Sequence, residues 1–269
     1  MLRTTITAAP GVRIKTPLVF VHGGSHTGAC YVETPDGRAG WAPYAAARGR
    51  TSYIFDWPGH GVNAAPADFS TMSMQAAADA LIEELAQIGP AVLVTHSMGG
   101  VVGWRAADMD RRNIAAIVAI APGPPANLQP LPDAALALSE DAPVQPMRDM
   151  ALKMWANSER FPHPAFETYL AGLVPESPRA MNERNNLNGN GIRVAGPEKL
   201  AGIPIVVITG DSDPRHPREV DEEVAAYFGA DFIWLADRGL AGHGHMMMIE
   251  HGHDVVAGIF LDWLDAHGI

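Results

Sequence analysis

The sequence predicts an α/β fold in which a mostly parallel sheet is wound on both faces by helices and broken by one mainly helical insertion. Three observations carry this reading. The strand-like segments 17–21, 91–94, 114–121 and 204–209 are continuous apolar runs, as expected of strands covered on both faces. Segments of helical period alternate with them, the signature of β-α-β units. From Pro122 to about Gly202 the alternation stops, and prolines and short helix-like stretches replace it. A chain of 269 residues is long enough for one full core. Residues 1–121 and 203–269 are therefore read as that core, and 122–202 as a lid inserted over one edge of the sheet.

Taken in order, Pro17–Val21 is a short buried strand running into His22-Gly23-Gly24-Ser25. Glycines directly after a strand let the backbone come close to a ligand and present an amide to it. Residues 25–40 form a long loop with Thr34-Pro35-Asp36-Gly37 as its turn. Trp41–Arg48 reads as a short helix and Thr51–Asp56 as a strand, followed by a turn through Asp56-Trp57-Pro58-Gly59-His60-Gly61. Met74–Ile88 carries Ala77, Leu81, Leu85 and Ile88 on one helix face and is ended by Gly89-Pro90. Ala91–Val94 is the next strand. A helical run starting at Met98 follows it after a very sharp turn at Ser97.

Beyond the strand Ile114–Ala121, the insertion offers helices over 147–157 and 166–173. Met150, Met154, Trp155, Phe161, Phe166 and Tyr169 are its candidate pocket lining, with His22, Ser25 and Tyr31 contributed from the first loop. The sheet resumes at Pro204–Thr209 and turns at Gly210-Asp211-Ser212-Asp213-Pro214. Pro217–Phe228 is a helix and Phe232–Leu235 a last strand. The closing helix is read over Asp254–Trp263, with Val255, Ile259 and Leu261 or Trp263 facing inward. Before it lies the glycine-rich loop Gly239–Met248, whose composition opposes a helix and leaves its histidines free to enter a cleft.

Composition narrows the function. Charged residues are 18% and apolar residues 47%, the proportions of an ordinary globular protein. The net charge of −11, without basic clusters, disfavours nucleic acid and anionic membranes as partners. The single Cys30 excludes an internal disulfide framework, and no metal-ligand spacing stands out, so no metal or cofactor is expected. The N-terminus lacks the apolar stretch of a signal peptide and no run is as long as a membrane span, which points to a cytoplasmic protein.

The strand, Ser97 and helix sequence forms a nucleophile elbow, in which a strained serine projects its hydroxyl above the sheet edge. Thr95 stands where the usual Gly-x-Ser-x-Gly pattern has its first glycine. A serine hydroxyl needs a base within hydrogen-bond reach and a carboxylate to hold that base. Strand-end loops supply candidates for both: Asp213 or Asp211, and His243 or His245. Asp213 is favoured because it lies three residues past the glycine that ends its strand. The backbone N–H groups of Gly24 and Met98 are the expected oxyanion hole. A small ester is the expected partner, with a homodimer left open. The same residues could also act on an amide, carbamate, lactone or carbon–carbon bond, and a non-catalytic binding protein is the alternative from another class.

The elbow, the His-Gly-Gly loop and the Ser…Asp…His order resemble the α/β-hydrolase superfamily over essentially the whole chain. More narrowly, Thr27-Gly28 and Glu33–Trp41, with Gly242-His243-Gly244-His245-Met246-Met247-Met248, resemble the bacterial esterases typified by Alcaligenes esterase 713. The resemblance implies that the histidine before the methionine run, His245, is the base. Two departures accompany it. Gly24-Ser25 replaces the group's cysteine pair, and Ala121 stands where the group carries its acid as a glutamate. The second departure implies that Asp213, one strand further on, supplies the charge.

Overall fold

The computed structural model describes residues 3–269. Its centre is a seven-stranded sheet in the order β1-β3-β2-β4-β5-β6-β7. The strands are β1 (Thr4–Ile6), β2 (Leu18–Val21), β3 (Ser52–Phe55), β4 (Ala91–His96), β5 (Ile114–Ile120), β6 (Ile205–Thr209) and β7 (Asp231–Trp234). All neighbours pair in parallel except β1, which runs antiparallel on β3 at the edge. The sequence predicted the six parallel strands, four of them as apolar runs; β1 is three residues long, two of them threonine, and partly exposed, too weak a pattern to read.

Eight α-helices accompany the sheet among the described residues: α1 (Trp41–Ala47), α2 (Met74–Ile88), α3 (Met98–Met109), α4 (Arg148–Met154), α5 (Phe166–Ala171), α6 (Pro178–Arg184), α7 (Arg218–Phe228) and α8 (His253–Ala266). Because side chains alternate along a strand, the sheet feeds two cores. Leu18, Phe20, Val92, Val94, Val118 and Ile120 pack with α1 and α8 on one face. Val19, Val21, Leu93, Ile117 and Ala119 pack with α2, α3 and α7 on the other. Each fully buried Val, Leu or Ile contributes about 1.5–3 kcal/mol, so the strands are held from both sides.

The inner face of α8 differs from expectation. Val255 is half exposed, and Val256, Ala257, Phe260, Leu261 and Leu264 face the core. Val255 and Val256 are both apolar, so the sequence does not fix the helix phase, and the buried row begins one residue later. Between β5 and β6 the described residues contain α4, α5, α6 and 3-10 turns, with one isolated bridge between Val144 and Glu176. Helix α6 was not expected from periodicity, yet its start carries a local signal: Ser177 caps it by accepting from the Ala180 N–H, and Pro178 follows at the first helical position.

Parallel pairing brings the carboxyl ends of β2, β4, β5 and β6 to one edge, where such sheets present their ligand sites. The loop between β7 and α8 returns to the same edge.

Candidate active site

Ser97 joins β4 to α3 with φ 52° and ψ −120°, in the region that side chains other than glycine rarely occupy. The turn survives because its surroundings fit it. A Cβ on Gly99 would lie 2.4 Å from the His22 carbonyl oxygen, so α3 can approach β2 only with glycine there. Thr95, in place of the usual glycine, is accommodated from the other side: a Cβ on Gly103 would lie 2.7 Å from Thr95 Cγ2. The helix therefore supplies the space that the strand does not.

The Ser97 hydroxyl lies 3.0 Å from His245 Nε2, and His245 Nδ1 lies 2.6 Å from Asp213 Oδ2. Asp213 Oδ1 accepts the Arg215 N–H at 2.9 Å. All three side chains are buried. Burial lowers His245 to about 4 against the opposing pull of Asp213, so the imidazole is neutral at pH 7. For Asp213, burial acts upward, but the charge and hydrogen bond of His245, with His216 and the Arg215 amide, hold the carboxyl well below its ordinary range. The competing residues are engaged elsewhere. Asp211 accepts the Gly242 N–H at 2.8 Å, and His243 Nδ1 donates to Glu250 at 2.8 Å.

The His245 ring lies between two others, His96 at 4.6 Å and His216 stacked at 5.3 Å between centroids. His96 Nε2 donates to the His245 carbonyl at 2.9 Å, and His216 bonds Asp221 at 3.0 Å. Asp213, His216 and His245 bring ligand-type atoms within 4.8 Å of one another, the one such buried set among the described residues. Two of its three members are already bonded to each other.

The rest of the β7–α8 loop is gripped from three directions. Arg38 donates to the carbonyls of Ile249 and Glu250 at 2.7 and 3.0 Å. Arg160 donates to those of Ala241 and His251 at 2.6 and 3.3 Å. Glu250 accepts from Ser158, from His243 and from the Gly244 N–H.

Gly24, on the β2 loop, and Met98, at the first position of α3, line the same cavity as Ser97, and the Met98 amide has no carbonyl one turn earlier in the helix to receive it. The β2 loop is pinned by Glu176 and His26, which no sequence pattern marked. Glu176 accepts the N–H groups of Ser25 and Ser177 at 2.9 and 2.8 Å and lies 3.2 Å from His60 Nε2. His26 Nδ1 donates to the Gly24 carbonyl at 2.8 Å, and its Nε2 accepts the Tyr169 hydroxyl at 2.8 Å. The available signal was weak: Glu176 sits between prolines in an irregular stretch without periodicity.

A cavity of about 180 Å³ opens beside Ser97. Met150, Met154, Trp155 and Met181 form its apolar wall, with Ser25, Glu176, Arg184, Asn185 and Arg215 as the polar part. Several expected lining residues are elsewhere. Tyr31 is fully buried and donates to the Val21 carbonyl, His22 accepts from Trp57 Nε1 beneath the loop, and Phe161 and Phe166 pack in the core. Their aromatic bulk answers the demand for buried area. Tyr169 lines a second cavity of about 450 Å³ together with His26, Cys30 and Leu173.

A strained serine bonded to a buried histidine and carboxylate, at the carboxyl edge of a doubly wound sheet, defines the α/β-hydrolase class. The chain belongs to the alpha/beta hydrolase family, whose sequence profile matches residues 18–258. The probable secreted lipase phiG of a fungus (Fungal sp., strain ATCC 74256) is 24% identical over 311 aligned positions, spanning 92% of this chain and 81% of that protein. Among solved structures, the Arabidopsis methylesterase MES16 superposes with a TM-score of 0.69 at 16% identity, covering 93% of this chain and 99% of the other. A monoacylglycerol lipase from Paleococcus ferrophilus gives 0.68 at 19% identity over 99% and 98%. A novel bacterial esterase known at atomic resolution gives 0.56 at 18% identity over 98% and 93%. No helix among the described residues is long and apolar enough to cross a membrane.

Proposed function

We propose that this protein is a serine hydrolase that cleaves carboxylic esters through an acyl-enzyme on Ser97. The observation that carries this reading is the continuous hydrogen-bonded chain from Asp213 through His245 to the Ser97 hydroxyl. His245 Nε2 takes the Ser97 proton as Oγ adds to the ester carbonyl carbon. The oxygen that becomes negative is met by the N–H groups of Gly24 and Met98, amides fixed before the reaction begins. As the carbon–oxygen bond to the alcohol breaks, the same proton passes from His245 to the leaving oxygen. Water then repeats the sequence on the acyl-enzyme, releasing the acid and restoring Ser97. Asp213 holds the imidazole with Nδ1 protonated and Nε2 free to accept, so the proton moves without a metal or cofactor. Residues 122–202 act as the lid, since Met150, Met154 and Trp155 wall the cavity above the serine.

The test uses short p-nitrophenyl esters and an uncharged fluorophosphonate. The folded protein should turn over the esters and acquire the label on Ser97, and Ser97→Ala should lose both. A folded protein that neither hydrolyses nor labels would sink the reading.

A further inference from the structure

The cavity beside Ser97 contains two arginines whose guanidinium groups have no carboxylate within ion-pair distance among the described residues. Elsewhere, arginines withdrawn from solvent are paired or bonded: Arg50 with Asp265, Arg105 with Asp108, Arg38 with Asp36 and two carbonyls. Arg13, Arg193 and Arg238, for which no such partner is found among the described residues, are exposed. Arg184 and Arg215 are different. Both are half buried and both line the cavity. The Arg184 guanidinium bonds the side-chain oxygen of Asn185 at 3.1 Å, and its buried Nε finds no partner among the described residues. The Arg215 amide is used by Asp213, while no carboxylate among the described residues lies within ion-pair distance of its guanidinium.

The nearby carboxylates are hydrogen-bonded by other groups. Asp213 accepts from His245 and from the Arg215 amide, and Glu176 accepts from Ser25 and Ser177. Burial, and then the charge of Arg215, lowers Arg184 to about 10 against the opposing pull of Asp213 and Asp221, which still leaves it cationic at neutral pH. Two partly desolvated like charges without an ion-pair contact are costly, and part of that cost is recovered when an anion enters between them. The place is also close to the reacting atoms. A Cβ on Gly123 would lie 3.8 Å from Arg184 Nε, and the Gly123 N–H bonds the Ser97 carbonyl at 2.8 Å. In a chain of net charge −11, two guanidinium groups are thus gathered on one cleft.

We infer that the substrate carries a carboxylate, held by Arg184 and Arg215 while Ser97 attacks a neighbouring ester carbonyl. This rests on the serine-hydrolase reading and names the substrate class within it. A guanidinium fork matches the planar, two-oxygen face of a carboxylate, and the small cavity favours an acid group on a short chain.

The experiment compares matched esters on the wild-type protein and its variants. On the acyl side the pair is mono-p-nitrophenyl glutarate and p-nitrophenyl valerate; on the leaving-group side it is 4-carboxyphenyl acetate and phenyl acetate. In at least one pair the charged ester should have the higher kcat/KM. That preference should fall about 10- to 100-fold in Arg184→Gln and in Arg215→Gln, the range expected for a lost charge-assisted hydrogen bond. Arg184→Lys should keep part of it. Free glutarate should also compete with p-nitrophenyl valerate on the wild type, a measurement that needs no variant to fold. If Ser97 labels with an uncharged fluorophosphonate but neither charged ester is preferred and glutarate does not compete, the inference is overturned. A charged-ester preference unmoved by both folded glutamine variants overturns it as well. Absence of labelling and of all turnover would instead remove the hydrolase reading, and this inference with it.

Discussion

Replacing Asp213 with asparagine removes the charge that keeps His245 Nδ1 protonated, without changing the side chain's size. The rate should fall by up to about 10⁴-fold while the fold persists, the scale seen when a triad carboxylate becomes neutral. Asp211→Asn should change turnover little, since its oxygen serves the Gly242 amide; ester hydrolysis by the two variants side by side decides between them. The same buried histidine sets an acid limit. It must be neutral to accept the serine proton, so kcat/KM should hold below pH 6.5, where a free imidazole is half protonated, and be lost as pH falls toward about 4. Brief assays after a jump to low pH would read this before the protein unfolds; a midpoint at or above 6.5 would refute it. Ser97, His245 and Asp213 could be read as candidates because each falls in a loop at a strand end. Glu176, Arg184 and Arg215 could not, because they come from a segment without periodicity or from a turn where many residues are equally polar.

At the scale of elements, the contact between β4 and α3 is where the elbow's unusual threonine is absorbed. Gly103→Ala would press a methyl against Thr95 Cγ2, and a β-branched side chain inside a strand has little room to turn away. The substitution should destabilise by about 1–3 kcal/mol, as overpacking does. In a Thr95→Ala background the loss should be smaller, and a double-mutant cycle by urea denaturation measures the coupling. Additive effects would show that the two positions do not share the space. Strands buried on both faces and the long helix α2 were legible, since many residues repeat one message there. The phase of α8 was not, because adjacent valines send two, and β1 was not, because three residues on a sheet edge bury little.

For the molecule as a whole, several histidines are buried in the neutral form. His22, His26, His96, His245 and His253 are all held below 6.5, in each case chiefly by burial, with His26 at about 3. Below pH 6.5 the unfolded chain binds protons that the folded chain does not, so stability is full above 6.5 and is lost as pH falls from there toward 4. One such group gives a slope of up to about 1.4 kcal/mol per pH unit; with five, the slope between pH 6.5 and 5 should be steeper than that. Denaturant titrations at half-unit steps would test it, and a flat profile over that interval would contradict it. The grip of Arg160 and Ser158 on the β7–α8 loop has a consequence for heredity and for engineering. Ser158 and Arg160, in the segment proposed as a lid, bond the stretch of chain that carries His245. Exchange of the proposed lid, residues 122–202, for a foreign segment is therefore expected to disturb the histidine. Recombinants that keep Arg160, Ser158 and their loop partners together should survive shuffling more often than those that separate them, so these distant positions are expected to be inherited as a unit.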